Sequence, residues 1–409
     1  MVLQKINHLL NYIQINSPFY KKKIPVSYKI NSLLDIKKLP FTTKTDIAMY
    51  NDDFLCVQKN KVRDFITTSG TTGDPISFYL TQNDLKRLAI NERNSFEICN
   101  IKKGDKVLLT TTIDKCFMAG LAYYLGSQEL GVGIIRTGPG SLKYQWDMID
   151  RFKPEIIVAV PSFLLKMIRF AKDNNIDLSQ CSLLKSICIG EPIREPNLQL
   201  NTLGHAISAD LNVKLYSTYA STEMMTAFTE CNEGRGGHLQ EDLLFVEVLD
   251  KNGVEVKDGE SGEVVITTLG VEGMPLLRYR TGDICTVYRT KCKCRRTSLR
   301  LGPVLGRKSQ RLKVKGTTIF PAAIIEAVYA FKNVENFAIE VSLDEFDSDT
   351  LCLFVTDEFL QKSSLKELKD FLKSRLLFTP EICVVENRII DDKIGINRTR
   401  KINRFIDNR

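Results

Sequence analysis

No stretch of the 409-residue sequence approaches the ~20 apolar residues that a bilayer-spanning helix requires, which excludes a membrane-embedded helical protein. No block of lysine and arginine is long enough to argue for nucleic acid; KCKCRR at 291–296 is short. The opening residues, MVLQKINHLLNYIQI, lack the basic start, long apolar core and small-residue cleavage site of a secretory leader. Ile6, Leu9, Leu10 and Ile13 instead fall at the spacing of a soluble amphipathic helix. The 11 cysteines are odd in number and scattered, unlike the framework of a small secreted fold. There is no internal repeat and no low-complexity tract. The setting these absences leave is a reducing cytoplasm.

What is present is ordinary for a soluble protein. The length implies two to three domains and a core that needs no disulfide. A formal charge of +8 suits anionic ligands such as nucleotides, and it equally suits solubility. Residues 64–80 read as strand, polar Gly-rich turn, strand. Strand-like runs then alternate with helical patterns: KVLLTTT at 106–112, LAYYLGSQEL at 121–130, GVGIIR at 131–136, YQWDMIDRF at 144–152, EIIVAV at 155–160, then SFLLKMIRFAK and SLLKSICIG. Such alternation implies an α/β fold with parallel strands and crossover helices. After about residue 240, strand runs separated by Asn-Gly, Asp-Gly and Ser-Gly read as antiparallel, in a small sheet or barrel-like part. The last hundred residues read as a separate small α+β domain. The expected division is a large domain over 1–305, a linker at 306–309 and a small domain over 310–409.

Residues 67–75, TTSGTTGDP, combine hydroxyls and glycines in a way that can wrap phosphate oxygens. They do not fit the G-x-x-x-x-G-K-[ST] loop, and alone they would pass for a polar hairpin turn. Their company decides the reading. YASTE follows at 219–223, RYRTGD at 278–283, GRKSQRLKVKG at 306–316 and NRTRKINR at 397–404. These five segments resemble, in order and approximate spacing, the motifs of adenylate-forming enzymes. CFMAGLAYYLGSQELG, IGEPIRE, ECNEGRGGHLQED, GMPLLRYRTGD and KGTTIFPAAIIE resemble the phenylacetate–coenzyme A ligase branch of that family. The resemblance covers most of the chain, with little from the first 60 residues.

The resemblance implies a two-domain α/β fold with a mobile C-terminal domain, and a two-step reaction. A carboxylate attacks the α-phosphorus of ATP, pyrophosphate leaves, and the coenzyme A thiol then attacks the acyl-adenylate. Thr68, Ser69, Gly70, Thr71, Thr72 and Gly73 would hold phosphates, although Asp74 stands where a lysine is usual in the family. Glu223, beside Thr222, would bind Mg²⁺, as a hard carboxylate oxygen does. Tyr219 would stack on adenine, and Glu191 and Pro192 would line its pocket through their backbone. Asp283 would accept from both ribose hydroxyls, with Arg278 or Arg280 as a structural ion-pair partner. Arg307 would contact the nucleotide, and Ser309 occupies the hinge position, usually aspartate. Lys401 would bridge carboxylate and phosphate oxygens, with Lys393 in reserve.

Phe117, Met118, Ala119, Gly120 and Tyr123 match the segment lining the aryl-acid pocket, so an aromatic acid is expected; an aliphatic acid stays open. Cys231, His238, Cys292 and Cys294 offer three thiolates and an imidazole, a tetrahedral set suited to structural zinc. The acceptor is expected to be coenzyme A; a carrier-protein thiol or an amine would use the same motifs, and a non-catalytic nucleotide-binding relative is the reading furthest removed. A carrier protein and a second copy of the chain, as a homodimer, stay open as partners; nucleic acid and membrane do not.

Overall fold

The structure, a computed structural model, describes residues 2–409 apart from 69–75, 315–316, 332–333, 345–348, 362 and 396–402, and apart from the side chains of 317 and 318. The described residues pack as two compact units, one drawn from residues up to Leu200 and Gly204–Val304, the other from Asn201–Leu203 and Leu305–Arg409.

The first unit opens with helix Val2–Asn16, whose Ile6, Leu9, Leu10 and Ile13 are all buried. Strands Val62–Thr67 and Ser77–Thr81 form an antiparallel hairpin. Thr68 closes it: its N–H donates to the Ile76 carbonyl at 2.9 Å, and its hydroxyl accepts from the Ile76 N–H at 3.0 Å. Parallel strands Gly133–Arg136, Lys106–Leu109, Ile156–Ala159, Lys185–Cys188 and Lys214–Ser221 lie in that order, joined by helices Met118–Leu130, Leu142–Phe152, Pro161–Asp173 and Thr202–Asp210. The apolar runs of the central strands Lys106–Leu109, Ile156–Ala159 and Lys185–Cys188 are buried on both faces, as a covered parallel sheet requires. The strands after residue 240 do not stand apart. Ser221 turns back into Thr226–Glu230, and from there Gly237–His238, Arg300–Arg307, Tyr279–Tyr288, Ser261–Thr268 and Leu244–Leu249 continue the same eleven-stranded sheet.

Helix Gln82–Ile98 escapes an apolar reading because its buried face is mixed: Asp84, Arg87, Asn91, Glu92 and Ser95 are buried along with Leu88, Ala89, Phe96 and Ile98. Its N-terminus is fixed by a capping box between Thr81 and Asp84.

The second unit has a four-stranded sheet, Glu381–Val384, Asp349–Val355, Phe337–Leu343 and Phe405–Asp407, with a short hairpin Leu312–Val314 and Thr317–Ile319. Helices Pro321–Tyr329 and Leu365–Leu376 bury Ile324, Ala327, Val328, Leu368, Leu372 and Leu376 in a core of their own. Among the described residues, no helix is long and apolar enough to cross a membrane.

Candidate active site

The hairpin of strands Lys214–Ser221 and Thr226–Glu230 turns at Thr222–Met225, inside the YASTE segment. The Met225 N–H donates to the Ser221 carbonyl at 3.3 Å, and Met225 takes φ +49° to complete the turn. Met224 and Met225 are buried in the main core, while Glu223 between them and Thr222 stays half-exposed. Its carboxylate has no hydrogen-bond or ion-pair partner among the described residues. Burying the methionines holds the turn in place and leaves the carboxylate open to a ligand. Arg87 adds a fixture that the motifs do not announce. Its guanidinium donates to the carbonyls of Met225 at 2.6 Å and Leu269 at 2.7 Å and to the Thr226 hydroxyl at 3.0 Å. Burial pushes its pKa down to about 10, still well above neutrality.

Tyr219, on the first strand of this hairpin, donates its hydroxyl to Asp283 Oδ2 at 2.8 Å and lies against Phe228 with ring centroids 5.8 Å apart. Burial first, and the Asp283 carboxylate second, push the phenol pKa well up, so the tyrosine remains a donor. Asp283 is presented by a bulge. Val265 pairs with Arg280 but Glu263 with Ile284, so the strand Tyr279–Tyr288 carries extra residues there. Gly282 takes φ +76° within it, the Thr281 hydroxyl donates to the Val264 carbonyl at 2.8 Å, and the Asp283 N–H donates to that hydroxyl at 3.1 Å. The Arg-Thr-Gly-Asp sequence is thus the chemistry of the bulge itself: glycine for the left-handed residue, threonine to satisfy the opened backbone.

Both arginines beside it are structural. Arg278 forms a buried two-point pair with Glu247, both contacts at 2.9 Å, and Arg280 pairs with Glu263, Nε to Oε2 at 3.1 Å. Phe41 lies under both guanidinium groups, at 4.1 and 4.8 Å. The first 60 residues therefore contribute more than their lack of motifs suggests. Thr42 exchanges backbone hydrogen bonds with Arg278 and Arg280 at 3.1 and 2.9 Å, and the Tyr20 hydroxyl accepts from the Leu277 N–H at 3.0 Å.

Glu191 is placed differently from a pocket-lining side chain. Its carboxylate accepts from the Ser162 N–H and hydroxyl, each at 2.9 Å, at the first turn of helix Pro161–Asp173. It caps that helix, leaving the backbone of Glu191 and exposed Pro192 as the parts that could face a base. Gly120 is fixed by packing: a Cβ there would lie 1.9 Å from the Thr112 carbonyl oxygen. Met118 and Tyr123 are buried, Phe117 and Ala119 half-buried at the start of helix Met118–Leu130. The Tyr123 phenol is pushed well up in pKa, mainly by burial. Arg307 ends strand Arg300–Arg307 in the second unit. Ser69, Gly70, Thr71, Thr72, Gly73 and Asp74 in the phosphate loop, and Lys401, lie outside the described residues. Lys393 is held by Glu340 at 2.5 Å and lies over the Phe354 ring at 4.2 Å, which gives it a structural place.

At the other end of the same hairpin, Cys231, His238, Cys292 and Cys294 bring their ligand atoms within 4.8 Å of one another. Cys231 and Cys292 sulfurs are 3.7 Å apart, and Cys294 Sγ is 3.4 Å from His238 Nε2. A tetrahedral zinc ion with Zn–S near 2.3 Å places its sulfurs about 3.8 Å apart, so the donor set fits that ion in kind and in spacing. His238 Nδ1 meets the Ser298 hydroxyl at 3.1 Å, which orients the ring. Burial, with Arg296 and Arg300 nearby, holds the imidazole neutral with a pKa of about 4.

Tyr219 and Asp283 meet within the large mixed sheet of an α/β fold, and Glu223 lies at the turn that follows the Tyr219 strand. The profile of the AMP-binding enzyme family matches residues 20–273, more than half of the chain, and the chain belongs to that family. It is 28% identical over 380 residues to the phenylacetate-coenzyme A ligase of Thermus thermophilus, covering 90% of this chain and 83% of that protein. It is 27% identical over 418 residues to the phenylacetate-coenzyme A ligase of Aromatoleum evansii, covering 98% and 92%. A crystal structure of 2-hydroxyisobutyryl-CoA ligase in complex with R3-HIB-AMP shares the fold, with a TM-score of 0.85 over 100% of this chain and 89% of that one at 21% identity.

Proposed function

We propose that the chain is an AMP-forming acid–thiol ligase that activates a carboxylic acid, of aromatic type, as its acyl-adenylate and passes the acyl group to coenzyme A. The observation that carries the reading is the Tyr219–Asp283 pair, 2.8 Å apart, on the strand that leads to the turn bearing the open carboxylate of Glu223. Asp283 is an acceptor for ribose hydroxyls, with Tyr219 orienting it and offering its ring to adenine. Glu223 would hold Mg²⁺, which supplies charge neutralisation at the phosphates. Thr68, with Ser69 to Gly73, and Thr222 complete the phosphate side, and Phe117, Met118, Ala119, Gly120 and Tyr123 the acid side. In the first half-reaction the substrate carboxylate forms a bond to the α-phosphorus as the bond to pyrophosphate breaks. Lys401 and Arg307 supply positive charge to that centre. In the second, the thiol sulfur attacks the acyl carbonyl and AMP leaves. Residues 306–309 would let the small domain carry Lys401 away between the two steps. Cys231, His238, Cys292 and Cys294 would hold a structural zinc, and the working compartment is the cytoplasm.

The test is ATP–pyrophosphate exchange across a panel of aromatic and aliphatic acids, followed by addition of coenzyme A, a phosphopantetheinylated carrier or an amine. Acid-dependent exchange and thioester formation with coenzyme A are expected. Release of ADP and phosphate with an acid that is turned over would overturn the reading, and transfer to carrier or amine alone would move the acceptor.

A further inference from the structure

Outside the site, the second unit holds a pair of thiols that the proposed reaction does not use. Strands Asp349–Val355 and Glu381–Val384 run parallel, with Cys352 opposite Glu381 and Phe354 opposite Cys383. Paired residues of neighbouring strands share a face, and side chains two apart share it too. Cys352 and Cys383 are therefore diagonal neighbours on one face, with sulfurs 2.9 Å apart. Both are free thiols and both are half-buried, so a small oxidant can reach them. The same face carries Glu340, opposite Cys352 on the other side, and Lys393 from helix Asn387–Ile394, paired with Glu340 and lying over Phe354.

Two chemistries suit adjacent thiols: metal binding and disulfide formation. The first needs further donors, as at Cys231, His238, Cys292 and Cys294. Among the described residues that set is the one group of three or more His, Cys, Asp or Glu side chains suited to an ion, and neither Glu340 nor Glu381 completes one with the Cys352 pair. The pair is left as a dithiol. We infer that Cys352 and Cys383 are a modification site, at which a hydroperoxide converts the two thiols to an intrachain disulfide.

The step balances as follows. One sulfur, as thiolate, attacks the peroxide O–O bond, becomes a sulfenic acid and releases an alcohol, or water when the oxidant is hydrogen peroxide. The second sulfur displaces the sulfenic oxygen as water and forms the S–S bond. Two electrons and two protons leave the protein. Burial, with the Cys383 sulfur and the Glu381 and Glu340 carboxylates beside it, pushes the Cys352 thiol up in pKa. The bond would staple the strand Glu381–Val384 to its neighbour just ahead of helix Asn387–Ile394, which precedes the Lys401 segment in the chain.

The experiment uses the full chain, treated with hydrogen peroxide, alkylated and digested without reduction. Mass spectrometry should recover the Cys352 and Cys383 peptides as one linked species, about 2 Da below their sum and separated again by dithiothreitol. The exposed Cys116 serves as a control thiol. Recovery of both peptides separately, in samples where Cys116 is oxidised, would overturn the inference. Cys352→Ser and Cys383→Ser should each abolish the linked species. A species of the same mass surviving in either variant would overturn the inference. The wild-type measurement stands without either variant, and it does not depend on ligase activity.

Discussion

The two ends of one hairpin, Lys214–Ser221 and Thr226–Glu230, are built on opposite plans. At the turn, Glu223 is half-exposed and its carboxylate unpartnered among the described residues. At the far end, Glu230 is 2% exposed and fully occupied: Arg194 Nε reaches both oxygens at 2.7 and 2.8 Å, and the Ser217 N–H donates to one of them at 3.0 Å. Cys231 follows immediately and joins the cluster with His238, Cys292 and Cys294. The same two strands are clamped at one end and present chemistry at the other. In the proposed reaction Glu223 would meet a metal–phosphate group, and a carboxylate in that role cannot be anchored by its own hydrogen bonds, because those would compete with the ligand. Its position has to be set from elsewhere, here by strand register, by Met224 and Met225 in the core and by Arg87.

The sharpest way to break this comparison is to remove the clamp. Protein purified without added zinc should carry about one equivalent per chain, and prolonged chelation should lower the melting temperature on the order of 10 °C, because structural zinc couples its binding to folding. Adenylation should fall only as far as the folded fraction falls. Metal-free protein with an unchanged melting profile would reduce the cluster to four ordinary side chains. The opposite end should respond in the opposite sense. Glu223→Gln should slow ATP–pyrophosphate exchange by about 10²–10³, or roughly 3–4 kcal/mol of barrier, since it removes a charge from the phosphate side. Its melting temperature should move by no more than about 2 °C, as an unpartnered, half-exposed side chain contributes little to folding. A Glu223→Gln protein that melts early yet exchanges at a normal rate would show that the turn is structural.

The legible and illegible parts of this molecule separate on physical grounds. The buried parallel strands and the helices with apolar periodicity, such as Val2–Asn16, stand where the hydrophobic pattern places them. The cysteines and His238 cluster in space as their chemistry suggested. Helix Gln82–Ile98 was hidden because many of its buried side chains are polar and find their partners far along the chain: Arg87 with Leu269 and Met225, Asp84 with the N–H groups of Glu272 and Gly273. Only the Thr81–Asp84 capping box marks it locally. Glu191 shows the converse. Its motif was evident, but that its side chain caps a helix beginning 30 residues earlier depends on how the strands bring the two segments together. Residues of the first 60 positions, Tyr20, Phe41 and Thr42 among them, brace the segment holding Asp283 through contacts that no local pattern encodes.

The finest test of the comparison is Tyr219→Phe. The change keeps the ring, its packing on Phe228 and its face for adenine, and removes only the hydroxyl that donates to Asp283 Oδ2 at 2.8 Å. A hydrogen bond of this kind is worth about 0.5–1.5 kcal/mol net, somewhat more when the acceptor is charged. If the hydroxyl orients Asp283 for the ribose, that energy is lost in nucleotide binding. The KM for ATP should then rise roughly three- to tenfold at nearly unchanged kcat, because ribose contacts serve ground state and transition state alike. The KM for the acid should stay within about twofold, since the aspartate serves the nucleotide. Discrimination against 2′-deoxy-ATP should weaken in the variant, as a loosely held carboxylate gains less from each sugar hydroxyl. A loss of kcat at constant KM, or retention of full discrimination against the deoxynucleotide, would place Asp283 away from the ribose and leave the tyrosine as a packing residue of the hairpin.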